Sequence, residues 1–426
     1  RTYFFRFTGY ATFFSSGTLD ILPAETRAWR YAEDIIRREA AASGFEEIRF
    51  PTFESTELFD RGVGGTTDIV QKEMYTFTDR DGRSLSLRPE GTAGVARSVI
   101  ENGLYAGAMP LKLYYLTNFF RYEKPQAGRS REFFQFGTEL YGADGPEGDA
   151  EVIALADRVL RRLGLQSCAL NLNSIGCADC RPAYRAALVD YFRAHESELC
   201  PTCRERLETN PLRILDCKSP ICAGIAAGAP KTVDYLCGHC RDHFTQLQAL
   251  LSGCGIAFTV NPRIVRGLDY YTGTVFEFIS SGIGAQGTVC GGGRYGGLLA
   301  ELGGPDMSGV GFGMGLTRLL LAMEAEGALP ALDGGPQVYL APIGSDERGR
   351  AFALAAELRA QGVRAETDLV GRSLKAQMKY ADKLGAQHTV VLGTDELSAG
   401  ECTLLCMATG EKKRIPLSAS SIAENL

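Results

Sequence analysis

The chain has 426 residues, 45% of them hydrophobic, with 45 lysines and arginines against 51 aspartates and glutamates, a net charge of −6. At roughly 150 residues per domain this is two or three domains with ample apolar material for cores, which excludes a disordered or fibrous chain. No run of about 18 uncharged apolar residues is present to span a membrane. The acidic balance excludes a grip on nucleic acid through bulk positive charge, while a local, shape-directed contact with RNA stays open.

The opening Arg1–Thr8 carries aromatics and two arginines but no uninterrupted apolar stretch, so no secretory signal is expected, and the protein reads as cytoplasmic. A helix is expected over Pro23–Ala42, with Pro23 in its first turn, an apolar stripe of Trp29, Ala32, Ile35, Ile36 and Ala40, and Gly44 as its stop. A strand with a proline bend follows at 48–53. The segments 74–78 and 84–88 form a hairpin through Asp79-Arg-Asp-Gly82. Strands are expected at 111–120 and 132–141, a helix at 149–163 and a strand at 168–176. After a cysteine-rich block, strand character returns at 257–265, 275–279, 288–290 and 310–314, followed by a helix over 317–325. Leu329 to Pro336 is a Pro/Gly linker. Beyond it, strands at 338–341, 363–367, 389–392 and 403–407 alternate with helices at 349–361 and 375–384, a small α/β domain. The fold class is therefore α+β: an antiparallel sheet with flanking helices, a cysteine-rich insertion and a C-terminal α/β domain. The expected divisions are 1–174 and 251–330 for a split main domain, 175–250 for the insertion and 336–426 for the tail.

Four segments could carry chemistry. The loop from Arg121 to Glu132 has four basic and two acidic residues, a local positive patch in an acidic protein. An arginine at a strand end offers a planar fork suited to phosphate oxygens. Gln135 and Glu139, four apart on the following strand, share a face. Arg266-Gly-Leu-Asp-Tyr270-Tyr271 brackets two aromatic rings with charge and suits a flat polar ligand. Gly291-Gly-Gly-Arg294-Tyr295 allows tight turning or close approach to a ligand. Gly309-Val-Gly-Phe-Gly-Met-Gly315 imitates a dinucleotide fingerprint, but its helix runs into the linker rather than a βαβ unit. Arg318, one turn into that helix, can still reach a polyphosphate. For each segment the plainer reading is a solvated loop, an aromatic core strand or a tight turn.

Together these segments resemble the class II aminoacyl-tRNA synthetases, and within them the histidyl-tRNA synthetase family. Gly17-Thr-Leu-Asp20-Ile-Leu-Pro23 with Pro51 resembles the first motif of the class, and Arg88-Pro-Glu90-Gly-Thr92 its amino-acid-binding turn. Phe120-Arg121-Tyr-Glu-Lys-Pro-Gln with Gln135 and Glu139 resembles motif 2, and Gly313-Met-Gly-Leu-Thr-Arg318 motif 3. Arg266 to Thr272 and Gly292 to Tyr295 resemble the two histidine-specific elements. The resemblance spans about 17–420. It implies ATP-dependent formation of histidyl-adenylate, with Mg²⁺, and transfer to the 3′ end of tRNA(His). By resemblance, Arg121, Arg266 and Arg318 are catalytic and bind ATP. Glu90, Thr92, Gln135, Glu139, Tyr270, Tyr271 and Tyr295 enclose histidine, and Lys124, Gln126 and Arg129 meet the tRNA acceptor end. The first motif implies a homodimer, and the tail an anticodon-binding domain. Basic and acidic residues are eleven each from Pro336 to Leu426, so anticodon binding leaves no basic patch to read.

Eight of the thirteen cysteines fall between Cys177 and Cys240. They pair as Cys177/Cys180, Cys200/Cys203, Cys217/Cys222 and Cys237/Cys240. In a reducing compartment such spacing suits two Cys₄ sites better than disulfides. Zinc is the expected ion, structural in role, with an iron–sulfur cluster or eight reduced thiols as alternatives; His239 could substitute as a ligand. His195, His243 and His388 are isolated and read as surface or packing residues. Two rival functions are a synthetase-like regulatory subunit of histidine biosynthesis, which would lack the tail and the signature residues, and a tRNA-sensing module, which would not need three phosphate-directed arginines.

Overall fold

The computed structural model describes residues 17–426 apart from Thr66, Ala127, Asp216, Lys218, 265–269 and Asp333. The aromatic leader at 1–16 and Arg266 therefore lie outside the described residues. The chain divides into two compact units, one ending at Leu329 and one running from Pro330 to Leu426.

The first unit is built on eight strands: β1 (Glu46–Glu47), β2 (Leu111–Phe120), β3 (Glu132–Tyr141), β4 (Cys168–Ser174), β5 (Phe258–Val260), β6 (Tyr271–Ser280), β7 (Thr288–Tyr295) and β8 (Gly309–Gly315). They lie in the order β1-β2-β3-β8-β7-β6-β4-β5. The inner pairings are antiparallel, and only the outermost ones, β1 with β2 and β4 with β5, are parallel.

Helix α1 (Pro23–Ala42) forms as its sequence indicates: Pro23 occupies the first turn, the Glu25 carboxylate accepts the Leu22 N–H at 3.2 Å, and the expected stripe is buried. Helix α2 (Thr92–Glu101) covers one face of the sheet. Helix α1 with α3 (Pro146–Arg162), α4 (Gly238–Gly253) and α5 (Leu316–Ala325) covers the other. Strand alternation sorts side chains between these cores. Tyr114, Phe136, Leu140, Val310, Phe312 and Met314 point to the large core, while Tyr115, Tyr141, Tyr271 and Tyr295 point to the α2 side.

Three expectations change. The strand at 48–53 is divided: only Glu46–Glu47 joins the main sheet, and Phe53–Ser55 pairs with Ser84–Leu87 in a small sheet with Thr76–Thr78. Pro51, lacking an N–H, lies in the gap between them. The glycines at 291–293 form no turn; they extend β7, held by ladders to β6 and β8 on both sides. Helix α3 begins at Pro146, before the expected 149, because proline again takes the first turn.

The insertion is helical (Arg181–Arg193, Pro201–Thr209 and Pro220–Ala226) around its own core of Leu188, Phe192, Leu207 and Ile214. The second unit has strands β9 (Val338–Pro342), β10 (Ala365–Thr367), β11 (His388–Leu392), β12 (Glu401–Cys406) and β13 (Lys412–Pro416), ordered β10-β9-β11-β12-β13. Helices α6 (Ser345–Ala360) and α7 (Leu374–Leu384) complete an α/β domain. Among the described residues no helix is long and apolar enough to cross a membrane.

Candidate active site and thiolate clusters

A cavity of about 280 Å³ opens on the α2 side of the sheet. Its floor explains the glycine pattern. In β8 the apolar residues alternate with Gly309, Gly311, Gly313 and Gly315, so one face feeds the core and the other carries no side chains. That bare face receives side chains from β3 and β7. A Cβ at Gly309 would lie 2.2 Å from the Tyr295 ring, one at Gly311 2.4 Å from Glu139 Oε2, and one at Gly313 3.3 Å from Gln135 Nε2. Three expected site residues thus each rest above a glycine. The Tyr115 ring is lodged in the same way between Gly91 and Gly137, where a Cβ would come within 2.4 Å and 2.1 Å of it.

At the inner end, Glu139 is 1% exposed. Its Oε1 accepts from Thr92 Oγ1 at 2.8 Å and from Tyr115 OH at 3.4 Å, and its Oε2 accepts from Tyr295 OH. Burial pushes its carboxyl up to about 8, against the pull of the Tyr295 and Thr92 hydroxyls and with a push from the Glu90 charge. Glu90, also buried, caps α2: its oxygens accept the Thr92 and Ala93 N–H groups, each at 2.8 Å. Burial raises its carboxyl, while those backbone donors and then Arg121 oppose the rise. The Tyr270 and Tyr271 rings lie with centroids 4.7 Å apart at a 47° tilt, and Tyr270 meets Tyr295 edge-on at 5.5 Å.

The outer end is cationic. Arg121 donates from Nε to the Pro89 carbonyl at 2.7 Å and lies over the Phe133 ring at 5.3 Å. Arg318 donates from Nε to the Gly128 carbonyl at 3.1 Å and from Nη1 to the Thr288 carbonyl at 3.0 Å. Arg129 pairs with Glu123 at 3.1 Å, and Arg121 approaches the same carboxylate at 3.9 Å. Burial lowers the Arg318 pKa, and the neighbouring Arg129 and Arg121 charges lower it further. Backbone carbonyls hold both Arg121 and Arg318 in place, with Glu123 as the shared anion, an arrangement suited to a polyanionic ligand. Lys124 and Gln126 are exposed on the loop above, whereas Arg129 lines the cavity.

Several supporting contacts could not be read from the sequence, although Arg88 and Arg294 stand in the motif segments. Arg88 is 4% exposed and pins the Glu90 turn through the Phe50 carbonyl (2.7 Å) and Asn118 Oδ1 (2.7 Å). Arg294 is clamped by the buried Asp149 through Nε at 3.1 Å and Nη2 at 2.5 Å, and His243 Nε2 meets the same carboxylate at 2.9 Å. His243 thus packs against the buried Asp149–Arg294 pair through a hydrogen bond to the carboxylate. His195 pairs with Glu198 at 3.0 Å on the surface.

The eight insertion cysteines assemble into two clusters: Cys177, Cys180, Cys237 and Cys240, and Cys200, Cys203, Cys217 and Cys222, the sulfurs of each lying within 4.8 Å of one another. A tetrahedral zinc site with Zn–S near 2.3 Å has sulfurs about 3.8 Å apart. The recorded separations are 3.7 Å (Cys177–Cys180), 3.9 Å (Cys177–Cys237) and 3.9 Å (Cys200–Cys217). Backbone N–H groups point at the sulfurs: Cys237 N–H donates to Cys180 Sγ at 3.1 Å and Cys200 N–H to Cys222 Sγ at 3.3 Å. Burial acts upward on Cys177, but the Cys180 and Asp179 N–H groups and neighbouring thiols bring it to about 7; the Cys203 N–H does the same for Cys200. The donor set and geometry fit zinc. His239 is outside both clusters, against the expectation that it could substitute.

An antiparallel sheet with a glycine floor, motif arginines at one end of the cavity and buried carboxylates and tyrosines at the other is the catalytic architecture of class II aminoacyl-tRNA synthetases. The histidyl-tRNA synthetase family model matches residues 17–181 and 229–319, and an anticodon-binding-domain model matches 337–421. The chain is 53% identical over 401 residues to the histidine–tRNA ligase of Acetivibrio thermocellus, covering 94% of this chain and 96% of that one. It is likewise 53% identical over 399 residues to that of Caldanaerobacter subterraneus, covering 94% and 96%. The structure of apo S. aureus histidyl-tRNA synthetase, 38% identical, superposes with a TM-score of 0.82 over 97% of this chain and 99% of that one. The chain belongs to the histidyl-tRNA synthetase family.

Proposed function

We propose that the two ends of the cavity divide the work of histidine–tRNA ligation. The reaction is ATP-dependent formation of histidyl-adenylate with release of pyrophosphate, then transfer to the 3′ end of tRNA(His) with release of AMP. In the first step a histidine carboxylate oxygen bonds to the α-phosphorus as the bond to pyrophosphate breaks. No proton transfer is required, so positioning and charge neutralisation carry the rate. Arg121 holds the α-phosphate and Arg318 the γ-phosphate; Arg266, assigned by resemblance, supports the α-phosphate and the attacking carboxylate. Mg²⁺ arriving with ATP adds positive charge on the phosphates.

Glu90, Thr92, Gln135, Tyr270, Tyr271 and Tyr295 enclose histidine, with Glu139 ordering the Thr92, Tyr115 and Tyr295 hydroxyls from beneath. Buried hydroxyls and carboxyls left without partners reject side chains that lack the imidazole nitrogens. Lys124 and Gln126, exposed on the motif 2 loop, meet the tRNA acceptor end. Arg129 reaches it from the cavity rim. The observation that carries the reading is the junction, in one cavity, of an arginine group around one carboxylate with a buried carboxylate–tyrosine layer.

Residues 175–250 serve as an insertion domain holding two structural zinc ions, supported by the sulfur geometry, and 336–426 as the anticodon-binding domain. The catalytic domain is formed by 1–174 with 251–330. A homodimer built through the first motif and a cytoplasmic location complete the assignment. Histidine-dependent exchange of labelled pyrophosphate into ATP tests it, with the other amino acids as controls. Exchange with histidine alone is expected; no exchange with any amino acid from folded protein would overturn the site assignment.

A further inference from the structure

Resting on the reading that the clusters bind metal, we propose that the inner thiolate cluster (Cys177, Cys180, Cys237 and Cys240) is a positioning site for the histidine pocket, whereas the outer one only holds the insertion together. The inner cysteines stand at the neck of the insertion: Cys177 and Cys180 where the chain enters it, Cys237 and Cys240 where it leaves. One ion would clasp both strands of that neck, at the point where they touch the substrate-binding strand.

Three sets of contacts join this neck to the pocket. Ile175 N–H donates to the Gly273 carbonyl at 2.8 Å, and Gly273 N–H donates to the Gly176 carbonyl at 3.0 Å, so the residues just before Cys177 are paired with the start of β6. Arg181, the residue after Cys180, donates from Nη2 to the Tyr271 carbonyl. Cys237 and Cys240 open α4, whose His243 meets Asp149 at 2.9 Å; Asp149 holds Arg294, the residue before Tyr295. Gly176 shows how closely the chain wraps the cluster: it has a φ of +68°, and a Cβ there would lie 2.6 Å from that of Cys180. Cys177 and Cys240 also share the wall of a cavity of about 110 Å³ with Thr272, Gly273 and Thr274.

The outer cluster has different surroundings. Its cysteines pack in the insertion's own core. Among the described residues, the ion pairs reaching from that region to the catalytic part are Arg206 and Arg213 with the half-buried Asp68, at 3.9 Å and 3.6 Å. Pairs this long, ending on a half-solvated carboxylate, transmit little. Thiols are weak hydrogen-bond formers, so four metal–sulfur bonds are the stiffer way to fix the neck. What the inner metal fixes is the backbone on which Tyr270 and Tyr271 ride, one layer removed from substrate.

Metal content of the purified full-length protein, Tm and pyrophosphate-exchange kinetics decide the matter. Wild type is expected to hold two zinc ions per chain, and Cys180→Ser and Cys203→Ser one each. Cys180→Ser should raise KM for histidine about tenfold while moving KM for ATP by less than about twofold, and Cys203→Ser should leave both within about twofold. Arg181→Gln removes the bridge to Tyr271 without touching a ligand; it should keep both ions and still raise KM for histidine. It also decides the question if Cys180→Ser fails to fold. Folded, zinc-supplemented wild type without metal would overturn the metal reading and this inference together. Two bound ions with an unchanged KM for histidine in Arg181→Gln, or an equal rise in Cys203→Ser, would overturn the inference alone.

Discussion

Gly311→Ala is the sharpest test of the glycine floor. The added methyl would stand 2.1 Å from the Thr138 carbonyl oxygen and 2.4 Å from Glu139 Oε2. Both contacts are more than about 1 Å inside ordinary van der Waals separation. The carbonyl belongs to β3, which is registered residue by residue against β8, with Gly311 opposite Glu139. It cannot yield without opening that ladder, so the displacement falls on Glu139 and the Thr92, Tyr115 and Tyr295 hydroxyls it holds. Overpacking of this kind costs about 1–3 kcal/mol, and misplacing site groups by about 1 Å can lower catalysis about a hundredfold. We expect kcat/KM for histidine in pyrophosphate exchange to fall at least about tenfold, and Tm to drop by several degrees. Gly315→Ala is the internal control for folding. It makes the same change on the same face, but its Cβ would meet nothing within 4 Å, so its Tm should stay at the wild-type value. A Gly311→Ala enzyme with wild-type KM for histidine and unchanged Tm would refute the close-approach argument.

Arg318→Gln removes a guanidinium already held by the Gly128 and Thr288 carbonyls; pyrophosphate exchange should fall about 10²–10³-fold at unchanged Tm, as for the loss of one preorganised charge-stabilising group. Glu139→Gln tests the buried carboxyl. Its folded pKa is raised from 4.5 to about 8, so the stability of its protonated form is fully present below about 4.5 and is lost as pH rises through about 8. Wild-type Tm should therefore lose ground across that window relative to Glu139→Gln, and parallel pH profiles would refute the assignment. Asp149→Ala strands the Arg294 cation, itself 8% exposed, at a cost of about 3–5 kcal/mol. Thermal unfolding monitored by circular dichroism would detect it, and a Tm unchanged by the substitution would show that water replaces the carboxylate.

The parts legible in the sequence are those whose signal is local. The first-turn proline and apolar stripe mark α1, the Asp79–Gly82 turn marks its hairpin, and the four-residue spacing of Gln135 and Glu139 puts them on one face because strands alternate. The tract at 291–293 misled because glycine is equally at home in a turn and where another chain passes close; only the ladders on both sides decide between them. The cysteine pairs were visible, but not their partition. Cys177 and Cys180 close with Cys237 and Cys240 across the whole insertion, while the pairs between them close on each other, and no local periodicity encodes that pairing. The same holds for His243, which reads as isolated until α3 and α4 pack and bring Asp149 to it.

The electrostatics of the two ends explain why one cavity should accept both a polyphosphate and an amino acid. At the outer end, Arg121 and Arg129 share Glu123 while Arg318 is held by backbone carbonyls nearby, and the Arg129 and Arg121 charges help to lower the Arg318 pKa. At the inner end, Glu90 and Glu139 are buried together, and the Glu90 charge adds to the burial that raises Glu139. The outer end is therefore under like-charge strain that solvent screens poorly inside the cavity, while the inner end avoids it by holding Glu139 towards its neutral form beside Glu90. On the proposed assignment, a phosphate chain would relieve the outer end, and the cationic groups of histidine would favour charged carboxylates at the inner one. Glu90 stands between them, feeling Arg121 on one side and pushing on Glu139 on the other. Relief at one end shifts the charge balance felt at the other, which gives a physical basis for ATP and histidine to favour one another's binding before the chemical step.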